Sequence, residues 1–314
     1  MDATQLPPQI LRVPPEDREE ALRLVFRRLG ESERREQCAL LVGAKGALPE
    51  AARGGAAWDG LFAAYRGGRM VAAIFGQPQP GRFAVLWPPQ LAGDEPPASA
   101  LPLLFAVDQF FIARGVQIAQ AMLEAVAAPE AEVLLRGGFV HLVDLVYLVC
   151  TDGGFPAAEP PTALEFQAWT AAEHQRLAAI VEATYAETLD CPAMNGLREV
   201  QDVLAGYRAT GVFDAGRWWI VRHAGRDVGC LILADFPEQD TWELVYMGIV
   251  PGVRGRGWGG QMVRRAQWLA RRSGRSRLVL AVDAGNAPAL RIYGAAGFRP
   301  FERRSVYVKR YRQP

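Results

Sequence analysis

The sequence predicts a mixed α/β protein organised as two tandem domains. Three observations carry that prediction: an alternating order of helices and strands in the second half, a fainter copy of it in the first, and an unperiodic Gly/Pro-rich stretch between them. At 314 residues the chain is long for one small α/β domain and suits two, at roughly 100–200 residues each.

In the second half, Leu177, Ile180, Val181 and Thr184 recur at helical spacing within Thr170–Glu187. A polar turn, TLDCPAMNG, separates this helix from a second near Leu197–Tyr207. Trp218–Arg222 and Val228–Ala234 read as strands, joined by a His-Ala-Gly-Arg-Asp turn that suits a hairpin. A third strand, Thr241–Val250, runs into PGVRGRGWGG and a helix that Gly274 ends. Arg277–Asp283 is a fourth strand, Ala287–Ala296 a short helix ended by Gly297, and Ser305–Arg310 the last strand.

The first half repeats the order. Ala63–Gly67 and Met70–Gly76 form a predicted hairpin, followed by strand Arg82–Trp87, helix Ser99–Arg114 and strand Val116–Ala121. A short helix, Pro129–Arg136, ends in Gly137-Gly138-Phe139, which matches Ala296-Gly297-Phe298, before a strand at Leu142–Cys150. The stretch TDGGFPAAEPPT at Thr151–Thr162 reads as an interdomain linker, giving domains 1–155 and 156–314. Where the second half has its glycine-rich turn, the first has WPPQLAGDEPP, whose Pro88 and Pro89 each remove an amide donor.

Composition narrows the partners. A net charge of +1 gives no general attraction for nucleic acid or membrane surfaces. Four cysteines lie far apart with no CxxC pair, so no metal site is expected, and scattered thiols suit a reducing cytoplasm. The N-terminus does not have the pattern of a secretion signal. The apolar runs Leu101–Ala113 and Phe139–Cys150 are short and interrupted by Asp108, His141 and Asp144, so neither is expected to span a bilayer. A cytoplasmic protein is expected.

The chemistry centres on Arg254–Gly260. Glycines 255, 257, 259 and 260 permit positive φ and close approach of a ligand to the backbone. The free N–H groups of the following helix's first turn form an anion site, and Arg254 and Arg256 add charge suited to phosphates. Gly255-x-Gly257-x-x-Gly260 also satisfies a dinucleotide fingerprint. Against that fold, Pro251–Arg254 intervene between strand and first glycine, and only 31 residues follow Asp283.

Asn286 and Tyr293 lie seven positions apart, on one helical face. Taken singly, a helix cap explains Asn286 and an amphipathic core position explains Tyr293. Together with Arg254-x-x-Gly257-x-Gly259, Asn286-x-x-Ala289-x-x-x-Tyr293 and the following Gly297-Phe298 resemble the signatures of the GCN5-related N-acetyltransferase (GNAT) superfamily over about 160–314. The tandem layout, with a degenerate first half, is similar to mycothiol synthase and related two-domain acetyltransferases.

The resemblance implies two GNAT-like domains, each a mostly antiparallel twisted sheet flanked by helices, with the first non-catalytic. It implies acetyl-CoA as cosubstrate, its pyrophosphate on the amides of Arg254, Gly255, Arg256, Gly257, Trp258, Gly259 and Gly260. The pantetheine arm would run beside Ile249 and Val250, Asn286 would hold that arm, and Tyr293 would protonate the departing thiolate. Acetyl transfer to an amine requires a neutral nucleophile, a donor for the developing oxyanion and an acid for sulfur. A backbone amide near Ile249 is the candidate donor.

Glu243, fourteen residues before Gly257, is the candidate base, because WELVYMGI resembles the strand that carries the catalytic glutamate of histone-type acetyltransferases. Strand alternation places Glu243, Val245, Met247 and Ile249 on one face. A solvated carboxylate, with a water chain as base, is the alternative. Tyr185, Asp190, Cys191 and Asn195 lie where GNAT enzymes commonly shape the acceptor pocket, with solvated loop residues as the alternative. The expected activity is acetyl transfer to a primary amine of a small molecule. An acyl-CoA-binding sensor and a protein-acetylating enzyme are the alternatives.

Overall fold

A computed structural model describes residues 7–28, 58–126 and 128–311. They divide into two compact units, one comprising Met1–His141 with Ser305–Pro314 and the other Leu142–Arg304.

The first unit contains β1 (Gln9–Arg12), α1 (Arg18–Val25), β2 (Leu61–Arg66), β3 (Arg69–Gln79), β4 (Phe83–Leu91), α2 (Ala100–Ala113), β5 (Ile118–Leu123) and α3 (Pro129–Arg136). Its strands pair antiparallel except β4 with β5, which run parallel. The long apolar helix α2 turns Leu103, Val107 and Phe111 into the core. It lies so close to β3 that a Cβ on Gly76 would sit 2.5 Å from the Phe111 ring.

The second unit contains β6 (Val140–Thr151) from Leu142 onward, β7 (Glu165–Ala168), α4 (His174–Tyr185), α5 (Val200–Arg208), β8 (Trp218–His223), β9 (Arg226–Phe236), β10 (Thr241–Ile249), α6 (Trp258–Arg272), β11 (Arg277–Asp283) and α7 (Ala287–Ala295). The predicted mixed α/β class and mostly antiparallel pairing are both present. Only β10 and β11 run parallel.

The units do not divide at the expected 155/156. Strand β6, expected to close the first half, pairs antiparallel with β11 from Leu145 to Thr151. The last strand, β12 (Arg299–Arg310), pairs with β5 through Ser305–Arg310. Each unit is thus completed by a strand from the other half of the chain. Period-two patterning marks a strand but not the edge it fills, so this exchange is invisible to local reading. Nor is the Gly/Pro-rich stretch an interdomain tether. Phe155 and Leu164 are buried in the second unit's core, and Thr162 Oγ1 is 2.7 Å from Gln261 Oε1 on α6.

Two departures from regular pairing build the site. Strand β10 pairs with β9 as far as Ile249 but with β11 only over Thr241–Glu243. Beyond Glu243, no strand among the described residues pairs with the second edge of β10. The register with β9 also shifts between Leu244 and Tyr246, a bulge that makes Val245 an extra residue.

That bulge corrects the expected face. Glu243 lies opposite Ala234 and Tyr246 opposite Ile232, so these two share a side of the sheet. Met247 and Ile249 turn to the other side and join the core with Leu244. One inserted residue reverses the alternation for everything after it.

Candidate active site

At the end of β10 the chain makes a single tight turn at Pro251–Val253, and α6 opens at Trp258. The four glycines have three separate physical reasons. Gly255 and Gly257 have φ of 80° and 76°, which a side chain would strain. Gly259 is small because α7 presses on it, an added Cβ lying 3.1 Å from Ile292 Cδ1. Gly260 faces open space, with nothing within 4 Å of where a Cβ would be.

Among the described residues, no backbone carbonyl accepts from an amide between Gly255 and Gly260. These amides lie at the positive end of the α6 dipole. The Arg254 amide is not among them, since it donates to Pro251 O at 3.1 Å.

The two arginines behave differently from a pair of phosphate ligands. Arg254 donates Nε to Ile249 O (2.9 Å), Nη1 to Glu187 O (2.9 Å) and Nη2 to Thr184 O (2.8 Å). Its guanidinium satisfies orphan carbonyls at the end of α4 and ties them to the turn. Arg256 sits 5.3 Å over the ring of Trp258, which is buried and lies 4.7 Å from the His223 ring. Of the two strand-end positions, Val250 donates its amide to Val228 O at 3.0 Å, while Ile249 O holds Arg254.

Asn286 accepts from the Ala289 amide at 3.2 Å and caps α7. Two turns on, Tyr293 is buried with its ring 5.7 Å from Phe298. Burial, then the charge of Asp190, raises its phenol well above the ordinary range, so it stays protonated through neutral pH.

The loop after α4 reaches this helix. Asp190 Oδ1 accepts from the Asp283 amide at 3.0 Å, and its side chain also bonds Asn286. Asp283 returns the contact, accepting from the Cys191 amide at 3.0 Å. Lost hydration and the nearby Asp283 carboxylate raise the Asp190 carboxyl above its usual range. Glu187 and Cys191 bracket this strap in the left-handed region, with φ of 53° and 45°.

The structure thus brings Asp190 to Asn286 and Tyr293. Asn195 instead donates Nδ2 to Tyr185 O at 3.0 Å and finishes the end of α4. Tyr185 meets Tyr246 edge-on at 6.0 Å, and burial pushes its phenol up to about 12.

Glu243 is partly buried on β10, and loss of hydration raises its carboxyl to about 7. Among the described residues, neither an ion pair nor a hydrogen bond reaches that carboxylate. Tyr147 of β6 lies near enough for the Glu243 charge to add to the burial that raises its phenol to about 12. Sequence reading missed Tyr147, Tyr207 and Tyr246. The first comes from a strand read as part of the other domain, and Tyr246 shares Glu243's side of the sheet only because of the bulge.

The first unit also runs from a strand, β4, into a helix, α2, but through a segment with charged side chains. Before α2, the buried Glu95 carboxylate binds Arg66 at 2.7 Å and accepts from Ser99 Oγ. Gln90, near the end of β4, accepts from Arg27 Nε (3.0 Å) and donates to Glu130 (2.7 Å), which also pairs with Arg28 (2.7 Å).

A bulged strand paired only briefly with its parallel neighbour, glycine amides at the end of that strand, and a buried tyrosine on α7 are features in which the second unit resembles the GNAT acetyltransferase fold. Residues 181–298 match the acetyltransferase (GNAT) family. A mycothiol acetyltransferase from Beutenbergia cavernae is 34% identical over 91 residues, a stretch covering 28% of this chain and 30% of that protein. A GCN5-related N-acetyltransferase from Sphaerobacter thermophilus superposes with a TM-score of 0.63 at 15% identity, covering 99% of this chain and 96% of that one. A tandem GNAT protein of the clavulanic acid biosynthesis pathway does so with a TM-score of 0.50 at 14% identity, covering 96% and 98%. At these identities the superpositions show the fold. No helix among the described residues is long and apolar enough to cross a membrane.

Proposed function

We propose that the second unit transfers an acetyl group from acetyl-CoA to a primary amine of a small molecule, by direct attack in a ternary complex. The observation that carries this reading is the row of unpaired amides from Gly255 to Gly260, beside the unpaired edge of β10. These donors fit a pyrophosphate, and an extended amide-bearing arm fits a free strand edge. Acetyl-CoA supplies an activated thioester.

The chain's own residues do the rest. The amides of Gly255–Gly260 bind and orient the phosphates, and Arg254 fixes the turn that presents them. Glu243, with its carboxyl raised to about 7, takes the proton of the incoming amine. Tyr293 keeps a proton available for the departing sulfur. Asn286 sets the start of the helix that carries it. The Beutenbergia relative is a mycothiol acetyltransferase, which favours a small-molecule acceptor over a protein.

The first unit is non-catalytic in this reading, because a held carboxylate, Glu95, rather than a row of glycine amides precedes α2. A reducing cytoplasm is the expected location, with acetyl-CoA at hand and cysteines 150, 191 and 230 free. Thiol release from acetyl-CoA across a panel of primary amines tests the activity. CoA binding with no release from any amine would favour a sensor instead.

A further inference from the structure

Glu243 has unusual surroundings for a lone carboxylate. It lies opposite Val279 on β11, and two residues further along β11 Ala281 lies opposite Tyr147 on β6. All four side chains therefore point to one face of the sheet, away from Leu278, Leu280 and Leu148, which are buried in the core on the other side. Ala281 is exposed, while Val279 and Tyr147 are partly buried. Phe301 meets Tyr147 edge-on at 6.2 Å and is 56% exposed, which leaves an apolar surface beside Tyr147. After the bulge, Tyr246 returns to the same side as Glu243.

The charges close by are already matched. Glu302 and Arg304, which act on Tyr147, pair with each other. Among the described residues no cation is left beside Glu243.

We infer that the acceptor is a primary amine carried on an aromatic or apolar body, with no carboxylate next to the nitrogen. This rests on the acetyl-transfer reading and names its substrate class. An ammonium arriving from water is drawn to the Glu243 carboxylate and to nearby Tyr147. Its apolar body covers Val279, Ala281 and the Tyr147–Phe301 pair. An α-amino acid would bring a second carboxylate within a few bonds of the nitrogen, against Glu243, whose own charge no ion pair or hydrogen bond offsets among the described residues. A polyhydroxylated amine would leave hydroxyls against valine, alanine and ring carbon, where nothing replaces their water.

Three amines separate these cases in one thiol-release assay with the full chain. 2-Phenylethylamine and phenylalanine differ only by the carboxylate, and glucosamine supplies the hydroxyls. The expected kcat/KM for phenylethylamine exceeds both others by about tenfold or more. Phe301→Ala, at an exposed position that does not threaten folding, should shrink the ratio of phenylethylamine to glucosamine severalfold. Equal or faster turnover of phenylalanine or glucosamine overturns the substrate class and leaves acetyl transfer standing. So does a ratio that Phe301→Ala does not move. Absence of thiol release from all three, with CoA bound, overturns the acetyl-transfer reading itself.

Discussion

Asp190 and Asp283 hold each other's backbone. The Asp190 carboxylate accepts from the Asp283 amide and the Asp283 carboxylate accepts from the Cys191 amide, each at 3.0 Å. This reciprocal pair fastens the loop after α4 to the end of β11. Three residues upstream of Asp190, the Glu187 carbonyl is held by Arg254 of the glycine-rich turn. One short strap therefore connects both elements proposed to hold acetyl-CoA.

Asp190→Ala should release that strap. Asp190→Asn keeps an acceptor for the Asp283 amide and should do less harm. The expected result is a fall in kcat/KM of about tenfold for the alanine variant, the size of one lost charged hydrogen bond. Amide hydrogen exchange at residues 187–191 should quicken in parallel. Unchanged exchange with reduced activity would mean that Asp190 acts on the acceptor directly.

The Glu243 carboxyl gives two pH predictions of opposite kind. As a base it must be ionised, so kcat/KM should fall on the acid side with a midpoint near its value of about 7. Glu243→Gln should remove that limb and lower the rate by about 10²-fold or more. For stability the sign reverses. The folded carboxyl is raised above its ordinary 4.5, so between 4.5 and about 7 the folded chain binds a proton that the unfolded chain has lost. Stability from this group falls as pH rises through that window. Glu243→Gln should raise Tm at pH 8 and leave it nearly unchanged at pH 4, which thermal melts at the two pH values would check.

The first unit makes a stoichiometric prediction. Its Glu95 carboxylate, held by Arg66 and Ser99, puts a negative charge just ahead of α2, where the second unit offers bare amides. Calorimetric titration should find one CoA per chain. Gly260→Glu, which places a carboxylate at the open end of the turn, should weaken that binding by about tenfold or more through like-charge repulsion. Two equivalent CoA molecules per chain would contradict the assignment of the first unit.

What the sequence could reveal divides along physical lines. The glycine turn and the Asn286–Tyr293 spacing depend on residues within a few turns of one another, and local pattern exposes them. The β10 strand was legible too, but its bulge was not, because Val245 is extra only relative to β9. Arg254 matched a motif, yet its partners at Thr184 and Glu187 are about seventy residues away and are carbonyls that any sequence would supply. Tyr147 reaches Glu243 only through the exchange that gives β6 to the second unit. Contacts made by topology, rather than by spacing, are the ones that only the fold displays.

Tyr293 joins the legible part of the site to its proposed chemistry, so its variant is the most direct test. Its ring is buried against Phe298 and its hydroxyl can be removed with little change in shape. Thiol release with a primary amine and CoA affinity should be measured side by side for the native protein and Tyr293→Phe. The predicted result is turnover lowered by about 10²-fold, with the CoA dissociation constant within about twofold of native. Turnover equal to native would contradict the assignment of Tyr293 as the acid, and with it the proposed mechanism of acetyl transfer.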